Sequence, residues 1–309
     1  MTSHTITDPG RSPFGAASTA SDVLTGIDLT GKTAVVTGGY SGLGLATTCA
    51  LASAGARVLV PARRPETAQL ALAGVEKAEV GQLDLADLAS IRAFAGWFLS
   101  GHATLDILIA NAGIMACPET RVGPGWEAQF ATNHLGHYAL TSLLWPALAA
   151  AGRARVVSVS SGYKPDWRIR WDDMQFARGY DKWAAYAQSK LANILFARHL
   201  DRLGGPHGVH AFSVNPGWIL TSLQRHLAAR EMVAAGWIGA DGSPAPGLFK
   251  TPGQGAATQV WAATSPQLDA HGGDYCADCR ITEDGPADSS EAARLWALSA
   301  DLTGIRLIR

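Results

Sequence analysis

The stretch Thr37-Gly38-Gly39-Tyr40-Ser41-Gly42-Leu43-Gly44 joins the apolar run Thr33 to Val36 to a segment with apolar residues at helical spacing. This order predicts a strand, a glycine-rich turn and a helix. Such a turn leaves backbone N–H groups unpaired at the positive end of the helix, and its glycines allow an anion such as a pyrophosphate to approach the backbone closely. Glycines also collect in ordinary surface loops, so the turn alone does not establish a nucleotide site.

Strand and helix patterns alternate along the rest of the chain. Apolar runs predict further strands at 58–60, 78–85, 106–110, 155–160 and 273–276, and apolar periodicity predicts helices at about 87–100, 126–150, 184–203, 252–263 and 289–299. This alternation is typical of an α/β protein with a doubly wound parallel sheet, here of about seven strands, and helices on both faces.

The chain of 309 residues has no repeat or low-complexity linker that divides it into two domains. Residues 1–22 are rich in Ser, Thr, Gly and Pro, which predicts a flexible N-terminal arm. We expect residues 23–309 to form one domain, beginning with a short helical lead-in at 22–28 whose Leu24 and Ile27 pack on it.

The formal net charge is −1 and the pI is near 6.7, so nothing indicates a nucleic-acid or anionic-membrane partner. No apolar run is long enough to span a bilayer, and the first twenty residues lack a basic start and an apolar signal core, so we expect a cytoplasmic protein. Cys276 and Cys279 lack a second Cys/His pair at ligand spacing, and His134 and His137 lack a third ligand, which argues against a metal site.

The end of the second predicted strand carries a pair of arginines, Arg63 and Arg64. In dinucleotide-binding units this position, about 20 residues after the last glycine of the turn, faces the adenosine ribose. Arg63 stands 19 residues after Gly44. A guanidinium suits a 2′-phosphate by charge and geometry, whereas an acid would repel it. The sequence therefore favours NADP over NAD; the alternative is a solvated arginine pair at the start of a helix.

Tyr186 and Lys190 are four residues apart on a predicted helix, so their side chains share one face. A nearby ammonium favours the phenolate and lowers the pKa of a tyrosine towards the range useful for proton transfer. A serine at the carboxyl end of the fifth strand, Ser160 or Ser161, is placed to polarise a substrate carbonyl. The same Tyr/Lys spacing is also common on solvated helices.

Together these features resemble the short-chain dehydrogenase/reductase superfamily, whose fold is a single-domain Rossmann fold. The superfamily's motifs occur in order as Thr-Gly-x-x-x-Gly-x-Gly at 37–44, Asn-Ala-Gly at 111–113, Asn133, Ser161, Tyr-x-x-x-Lys at 186–190 and Pro-Gly-x-x-x-Thr at 216–221. The segments 131–137, 188–193, 273–275 and 294–296 resemble the retinol-dehydrogenase-like branch and its bacterial relatives.

The resemblance implies a catalytic set. Tyr186 would be the general acid in reduction and the base in oxidation, and Lys190 would bind the nicotinamide ribose and depress the Tyr186 pKa. Ser161 would orient the carbonyl, and Asn133 would support a water relay to Lys190. The cofactor would supply the hydride.

The resemblance also implies how NADP(H) is bound. The glycine turn would hold the pyrophosphate, Asp84 the adenine and Asn111 the adenosine ribose, with Thr221 and the backbone after Pro216 on the carboxamide. The implied cofactor-binding residues are Gly38, Tyr40, Ser41, Gly42, Leu43, Arg63, Asp84, Leu85, Asn111, Ala112, Gly113, Tyr186, Lys190, Pro216, Gly217 and Thr221. Tyr40 departs from the family, in which relatives often carry Asn or a basic residue there, so a phosphate contact is expected to be missing and Arg63 carries the NADP interpretation.

Two long segments, about 162–183 and 217–253, are predicted to leave the carboxyl edge of the sheet, where ligands bind and long loops act as lids. Their apolar content predicts a bulky, apolar carbonyl or alcohol substrate, although these aromatics could equally pack the lids on the body. Arg168, Arg170 and Arg225 are the candidates for contact with a polar group. The predicted substrate-lining residues are Tyr163, Trp167, Trp218 and Trp237.

The main prediction is an NADP-dependent carbonyl reductase or alcohol dehydrogenase. The alternatives are an NADP(H)-sensing protein without turnover and a reductase of a ring double bond on the same scaffold. Superfamily members often associate through the helices predicted at 126–150 and 184–203, so a homodimer or homotetramer is expected.

Overall fold

The computed structural model describes residues 12–282 and 289–307. Its strands are β1 (Thr33–Val36), β2 (Arg57–Ala62), β3 (Ala78–Gln82), β4 (Ile107–Ala110), β5 (Arg121–Val122), β6 (Trp126–Glu127), β7 (Ala154–Val159), β8 (Val209–Asn215), β9 (Tyr275–Ala277) and β10 (Arg280–Ile281). Its α-helices are α1 (Ala20–Val23), α2 (Gly42–Ser53), α3 (Pro65–Ala71), α4 (Leu88–Gly101), α5 (Ala128–Phe130), α6 (Gly136–Leu143), α7 (Trp145–Ala150), α8 (Lys182–Gly204), α9 (Ala229–Ala234), α10 (Pro252–Thr264) and α11 (Ser289–Thr303).

Eight of these strands form the central sheet in the order β10-β9-β8-β7-β4-β1-β2-β3, and all neighbours except β9 and β10 are parallel. The predicted doubly wound α/β fold is therefore confirmed. The sheet has one strand more than the predicted seven, and β8 and β10 are the two strands that were not placed individually; β10 pairs back on β9 through the two-residue turn Asp278-Cys279. Both turn residues have positive φ, as tight hairpin turns require.

Each face of the sheet is covered by helices. Ala34 and Val36 of β1 belong to a core cluster shared with α1, α2 and α10, whereas Val35 belongs to a second cluster shared with α4, α6 and α8. Strand order reverses between β1 and β4, so the carboxyl ends of these two strands form the switch point at which open α/β sheets bind ligands.

The N-terminal segment differs from the expected arm. Residues 1–11 lie outside the described residues, so the prediction stays untested there. Residues 12–22 are packed instead: Ser12 is buried, Phe14 packs against the core, and Gln254 donates a hydrogen bond to the carbonyl of Ala17. The helix expected from Asp22 begins earlier, at Ala20, where Thr19 and Asp22 form a capping box.

The single helix predicted at 126–150 was wrong in detail. Trp126 and Glu127 pair with β5, and the following helix contains a π-helical turn, Ala131–Leu135, between α5 and α6. A new helix, α7, starts at Trp145, because Pro146 can occupy the first turn of a helix and not its interior. The π turn directly contains Asn133, and such turns often occur at functional sites.

The last helix, α11, packs on α6 and α8. The Trp296 ring stacks on Phe196 with ring centroids 5.8 Å apart and meets Tyr138 edge-on at 4.9 Å. The Tyr138 hydroxyl donates to the carbonyl of Ile305 at 3.1 Å. Within residues 12–282 and 289–307, no helix is both long and apolar enough to cross a bilayer.

Candidate active site

One large cavity, of about 1300 Å³, opens at the carboxyl edge of the central sheet. It brings together every predicted site residue except Asn133: Gly38, Tyr40, Ser41, Gly42, Leu43, Arg63, Asp84, Leu85, Asn111, Ala112, Gly113, Ser161, Tyr163, Trp167, Tyr186, Lys190, Pro216, Gly217, Trp218, Thr221 and Trp237. Sequence reasoning missed Met115 and Cys117, which also line it. Their position just after the Asn-Ala-Gly stretch at the end of β4 was the available signal.

The glycine turn has the geometry of an anion site. Gly38 and Gly42 have positive φ, which favours glycine, and a Cβ at Gly44 would lie 2.2 Å from the Gly38 carbonyl oxygen. Ser41 precedes α2 without a side-chain hydrogen bond to the helix, so its hydroxyl does not cap the first N–H groups. The turn therefore fits a cofactor pyrophosphate at the start of α2.

A buried hydrogen-bond network holds the turn to the rest of the site. The Asn111 amide donates to the Thr37 carbonyl at 2.8 Å, while the Thr37 hydroxyl accepts from the backbone of Asn111 and Ala112. His137 Nδ1 lies 2.9 Å from the Asn133 carbonyl, which only accepts, so Nδ1 carries the hydrogen. Nε2 then accepts from the Thr37 hydroxyl at 2.9 Å. Asn111 is thus a brace of the turn as well as a cavity residue.

The catalytic candidates meet on one wall of the cavity. Tyr186 and Lys190 project from α8, and the Lys190 ammonium lies 5.7 Å from the centre of the Tyr186 ring. Lys190 Nζ donates to the Val159 carbonyl at 2.9 Å, and no described carboxylate pairs with it. The Ser160 hydroxyl donates to the Lys190 carbonyl at 2.7 Å, which ties α8 to the end of β7. Ser161 lies close enough to Tyr186 for its side chain to act on the pKa of the phenol.

The expected depression of the Tyr186 pKa is wrong for this structure. Burial raises the pKa of Tyr186 to about 12, and the Ser161 side chain opposes that rise only in part. Burial also lowers the pKa of Lys190 to about 8, because an ammonium loses hydration there. The Lys190 ammonium donates to the Val159 carbonyl, and burial dominates the pKa of Tyr186. The phenol is therefore protonated near neutral pH and able to donate a proton.

Asn133 acts behind the wall of the cavity. Its side-chain oxygen accepts from the Ile114 N–H at 2.8 Å, and its amide donates to the Ile114 carbonyl and to the Ser189 hydroxyl, each at 2.9 Å. The residue thereby fixes the loop after β4 against α8. The water relay to Lys190 stays a prediction.

Tyr275 supports the serine from the opposite side. Its hydroxyl donates to the Ser161 carbonyl at 2.6 Å and accepts from the Tyr163 N–H at 3.1 Å. Tyr275 does not line the cavity. Sequence reasoning placed it on the last strand, and the structure adds that it holds the Ser161 segment in place.

The two predicted lid segments play different parts. Ile169, Met174 and Trp171 of the first segment pack on the body, as the alternative interpretation of the aromatics had allowed. The Arg170 guanidinium lies over the Phe176 ring and pairs with Asp173, so it is engaged within the lid.

The second segment forms the apolar mouth. Leu223, Leu227, Met232 and Trp237 cluster with Met115 and Tyr186. Trp237 meets the rings of Trp183 and Trp218 edge-on at 6.1 and 5.2 Å. An ion pair between Lys182 and Glu231 joins the two lid segments.

The far end of the cavity carries the predicted coenzyme contacts. Arg63 and Arg64 follow β2, and none of the ion pairs among the described residues uses either guanidinium. Asp84 follows β3, and one of its carboxylate oxygens accepts from the Ala86 N–H at 2.9 Å. The fixed carboxylate lies where an adenine amino group was predicted to bind.

Comparison with known proteins agrees with this site. A family model for short chain dehydrogenases matches residues 32–232. The chain is 45% identical over 297 residues to a Streptomyces lividans protein named "Probable oxidoreductase", covering 89% of this chain and 98% of the relative. It is 38% identical over 298 residues to Mus musculus retinol dehydrogenase 14, covering 89% and 86%. The solved NADP complex of Pseudomonas aeruginosa RhlG is similar with a TM-score of 0.62 and 25% identity, covering 86% of this chain and 98% of that one.

The fold and the site thus define an oxidoreductase built on a Rossmann-type sheet. The chain belongs to the short-chain dehydrogenase/reductase family, and within it to the retinol-dehydrogenase-like branch and its bacterial relatives.

Proposed function

We propose that this protein is an NADP-dependent enzyme that transfers hydride between the nicotinamide and the carbonyl or alcohol carbon of a bulky apolar ketone, aldehyde or secondary alcohol. The observation that carries the proposal is the shared cavity. Ser161, Tyr186 and Lys190 lie on one wall, and Arg63 lies at the end of β2 on the same cavity.

The charge at Arg63 supports NADP as the coenzyme. An unpaired guanidinium at the end of β2 suits a 2′-phosphate and offers nothing specific to the free ribose hydroxyls of NAD. The NADP complex of the similar RhlG protein supports the same assignment.

The apolar mouth supports a bulky substrate. Met115, Trp218 and Trp237 line the cavity beside Tyr186, and the described wall there has no carboxylate. Burial of apolar surface stabilises a ligand by about 25 cal/mol for each Å². A large hydrophobic carbonyl compound therefore gains more here than a small polar one.

Each residue of the catalytic set then has its own role in the reaction. The nicotinamide supplies or accepts the hydride when bound. Tyr186 donates its proton to the carbonyl oxygen in reduction, and Ser161 holds that oxygen by a second hydrogen bond. Lys190 provides a positive charge beside the phenol as its proton leaves. The lid residues exclude water from these groups.

The experiment is a measurement of NADPH consumption over ketones and aldehydes graded from small and polar to steroid-sized, with NADH in parallel. Turnover of bulky apolar carbonyls with NADPH is expected. Equal turnover with NADH would refute the coenzyme assignment, and a preference for small polar carbonyls would refute the substrate class.

Tyr186→Phe tests the mechanism. Loss of the general acid is expected to lower kcat by about 10²- to 10⁴-fold, while NADP(H) binding stays intact. An unchanged kcat would show that Tyr186 is not the proton donor. Tight NADP(H) binding by the parent protein without turnover of any compound would instead indicate the silent sensor, and activity confined to ring double bonds would indicate the third alternative.

A further inference from the structure

The second lid segment contacts the glycine turn. Thr221 begins a short 3₁₀ helix, Ser222–His226, and a Cβ at Gly42 would lie only 3.1 Å from the Thr221 methyl carbon. The lid therefore lies directly against the start of α2. Arg225 follows within the same helical turn and lines the cavity.

Arg225 lines the cavity within electrostatic reach of Arg63 and Tyr40 at the coenzyme end, and also of Cys117 in the loop after β4. Partial burial and the positive charge of Arg63 lower the pKa of Arg225, whereas Tyr40 of the glycine turn acts on it in the opposite direction. The Arg225 guanidinium donates to the carbonyl of Ser222 at 3.0 Å. None of the ion pairs among the described residues involves Arg225, Arg63 or Arg64.

Two guanidiniums that line one cavity, act on each other electrostatically and take part in none of the described ion pairs favour an anion of high charge. A phosphate monoester carries about −1.5 to −2 charges near pH 7 and accepts paired hydrogen bonds from arginine. A site with one guanidinium on the body and one on the lid can bind such a group from two sides.

We propose that Arg225 binds the 2′-phosphate of NADP(H) from the lid side, opposite Arg63. Arg225 thereby supplies the phosphate contact that Tyr40 removes from the glycine turn. This inference rests on the proposed NADP dependence. Because Arg225 belongs to the segment that carries Trp218 and Trp237, the 2′-phosphate also orders the lid that covers the substrate site.

The test uses two probes that lack the nicotinamide: adenosine 2′,5′-bisphosphate, which carries the 2′-phosphate, and 5′-AMP, which does not. Their dissociation constants are measured by titration calorimetry. In the Arg225→Gln variant we expect about tenfold or greater loss of affinity for the bisphosphate, as for a hydrogen bond to a charged group, and no change for 5′-AMP. Arg230→Gln is the matched control, since Arg230 lies in α9 of the same segment and does not line the cavity.

The outcomes separate this inference from the proposed function. If the parent protein binds both probes equally, NADP dependence itself fails. If the parent prefers the bisphosphate and Arg225→Gln keeps that preference, only the role of Arg225 is refuted. Equal losses for both probes would place Arg225 on the 5′-phosphate and would also refute the proposal.

Amide hydrogen exchange tests the ordering of the lid. The bisphosphate is expected to slow exchange over residues 217–253 more than 5′-AMP does in the parent protein and in Arg230→Gln. That difference is expected to disappear in Arg225→Gln. Equal protection by both probes in the parent would refute the link between the 2′-phosphate and the lid.

Discussion

Two buried histidines, one in the π-helical turn and one at the start of α6, make folding stability depend on pH. His134 and His137 are both almost completely buried. His134 Nε2 lies 2.8 Å from the Ser299 hydroxyl, which itself donates to the Leu295 carbonyl. Nε2 therefore carries the hydrogen and donates to Ser299, while Nδ1 carries none. Burial lowers the pKa of His134 to about 3 and that of His137 to about 4. Both rings are therefore neutral in the native protein.

The magnitude follows from the difference between the two states. In the unfolded chain each histidine titrates near 6.5, so between pH 6.5 and 4 the unfolded state binds more protons than the native state. The contribution of the two neutral histidines to the free energy of unfolding is present in full above pH 6.5 and is lost as the pH falls. At pH 5 each histidine lowers the free energy of unfolding by about 2 kcal/mol, or about 4 kcal/mol for the pair.

The assay compares urea unfolding of the parent and of His134→Gln at pH 7 and pH 5. The variant removes one titrating ring, so its loss on acidification is expected to be about 2 kcal/mol smaller than that of the parent. His207→Gln is the control, because it makes the same substitution at an exposed histidine. The reasoning is refuted if the parent and His134→Gln lose the same free energy between the two pH values.

Two further predictions concern the turn and the lysine. Gly44→Ala places a Cβ 2.2 Å from the Gly38 carbonyl oxygen and is expected to lower the free energy of unfolding by about 1–3 kcal/mol. Gly96→Ala, in open space on α4, is the control and should raise the free energy of unfolding by about 0.5–1 kcal/mol. Urea titrations measure both. Burial lowers the pKa of Lys190 to about 8, so its charge is lost as the pH rises through 8. The rate of carbonyl reduction should fall above that pH in the parent, and a pH–rate profile of Lys190→Met should lack this decline.

Much of the site could be predicted because chain order alone places it. In a parallel sheet the carboxyl ends of the strands share one edge, so the glycine turn, Arg63, Asp84 and Ser161 had to converge there once the strands were recognised. The shared face of Tyr186 and Lys190 could also be predicted, because residues four apart on a helix lie on one side of it whatever the rest of the fold.

Properties that depend on three-dimensional surroundings were not available from the sequence. The sign of the Tyr186 pKa shift depends on how deeply the folded chain buries the phenol. Asn133 lies behind the cavity wall, where its side-chain amide donates hydrogen bonds to the Ile114 carbonyl and the Ser189 hydroxyl. Likewise, the composition of the first lid segment could not separate aromatics that pack on the body, such as Trp171, from those that line the cavity.

The packing of α11 limits how copies of this chain can assemble. Trp296 and, just beyond α11, Ile305 cover Phe196 of α8 and Tyr138 of α6, two of the helices through which association is expected. An intramolecular helix thus already buries one side of each of these two helices. A second copy of the chain can reach the sides of α6 and α8 that α11 covers only if α11 is displaced. Truncation before Ser289 would expose the aromatic side chains of Tyr138 and Phe196 and so favour self-association.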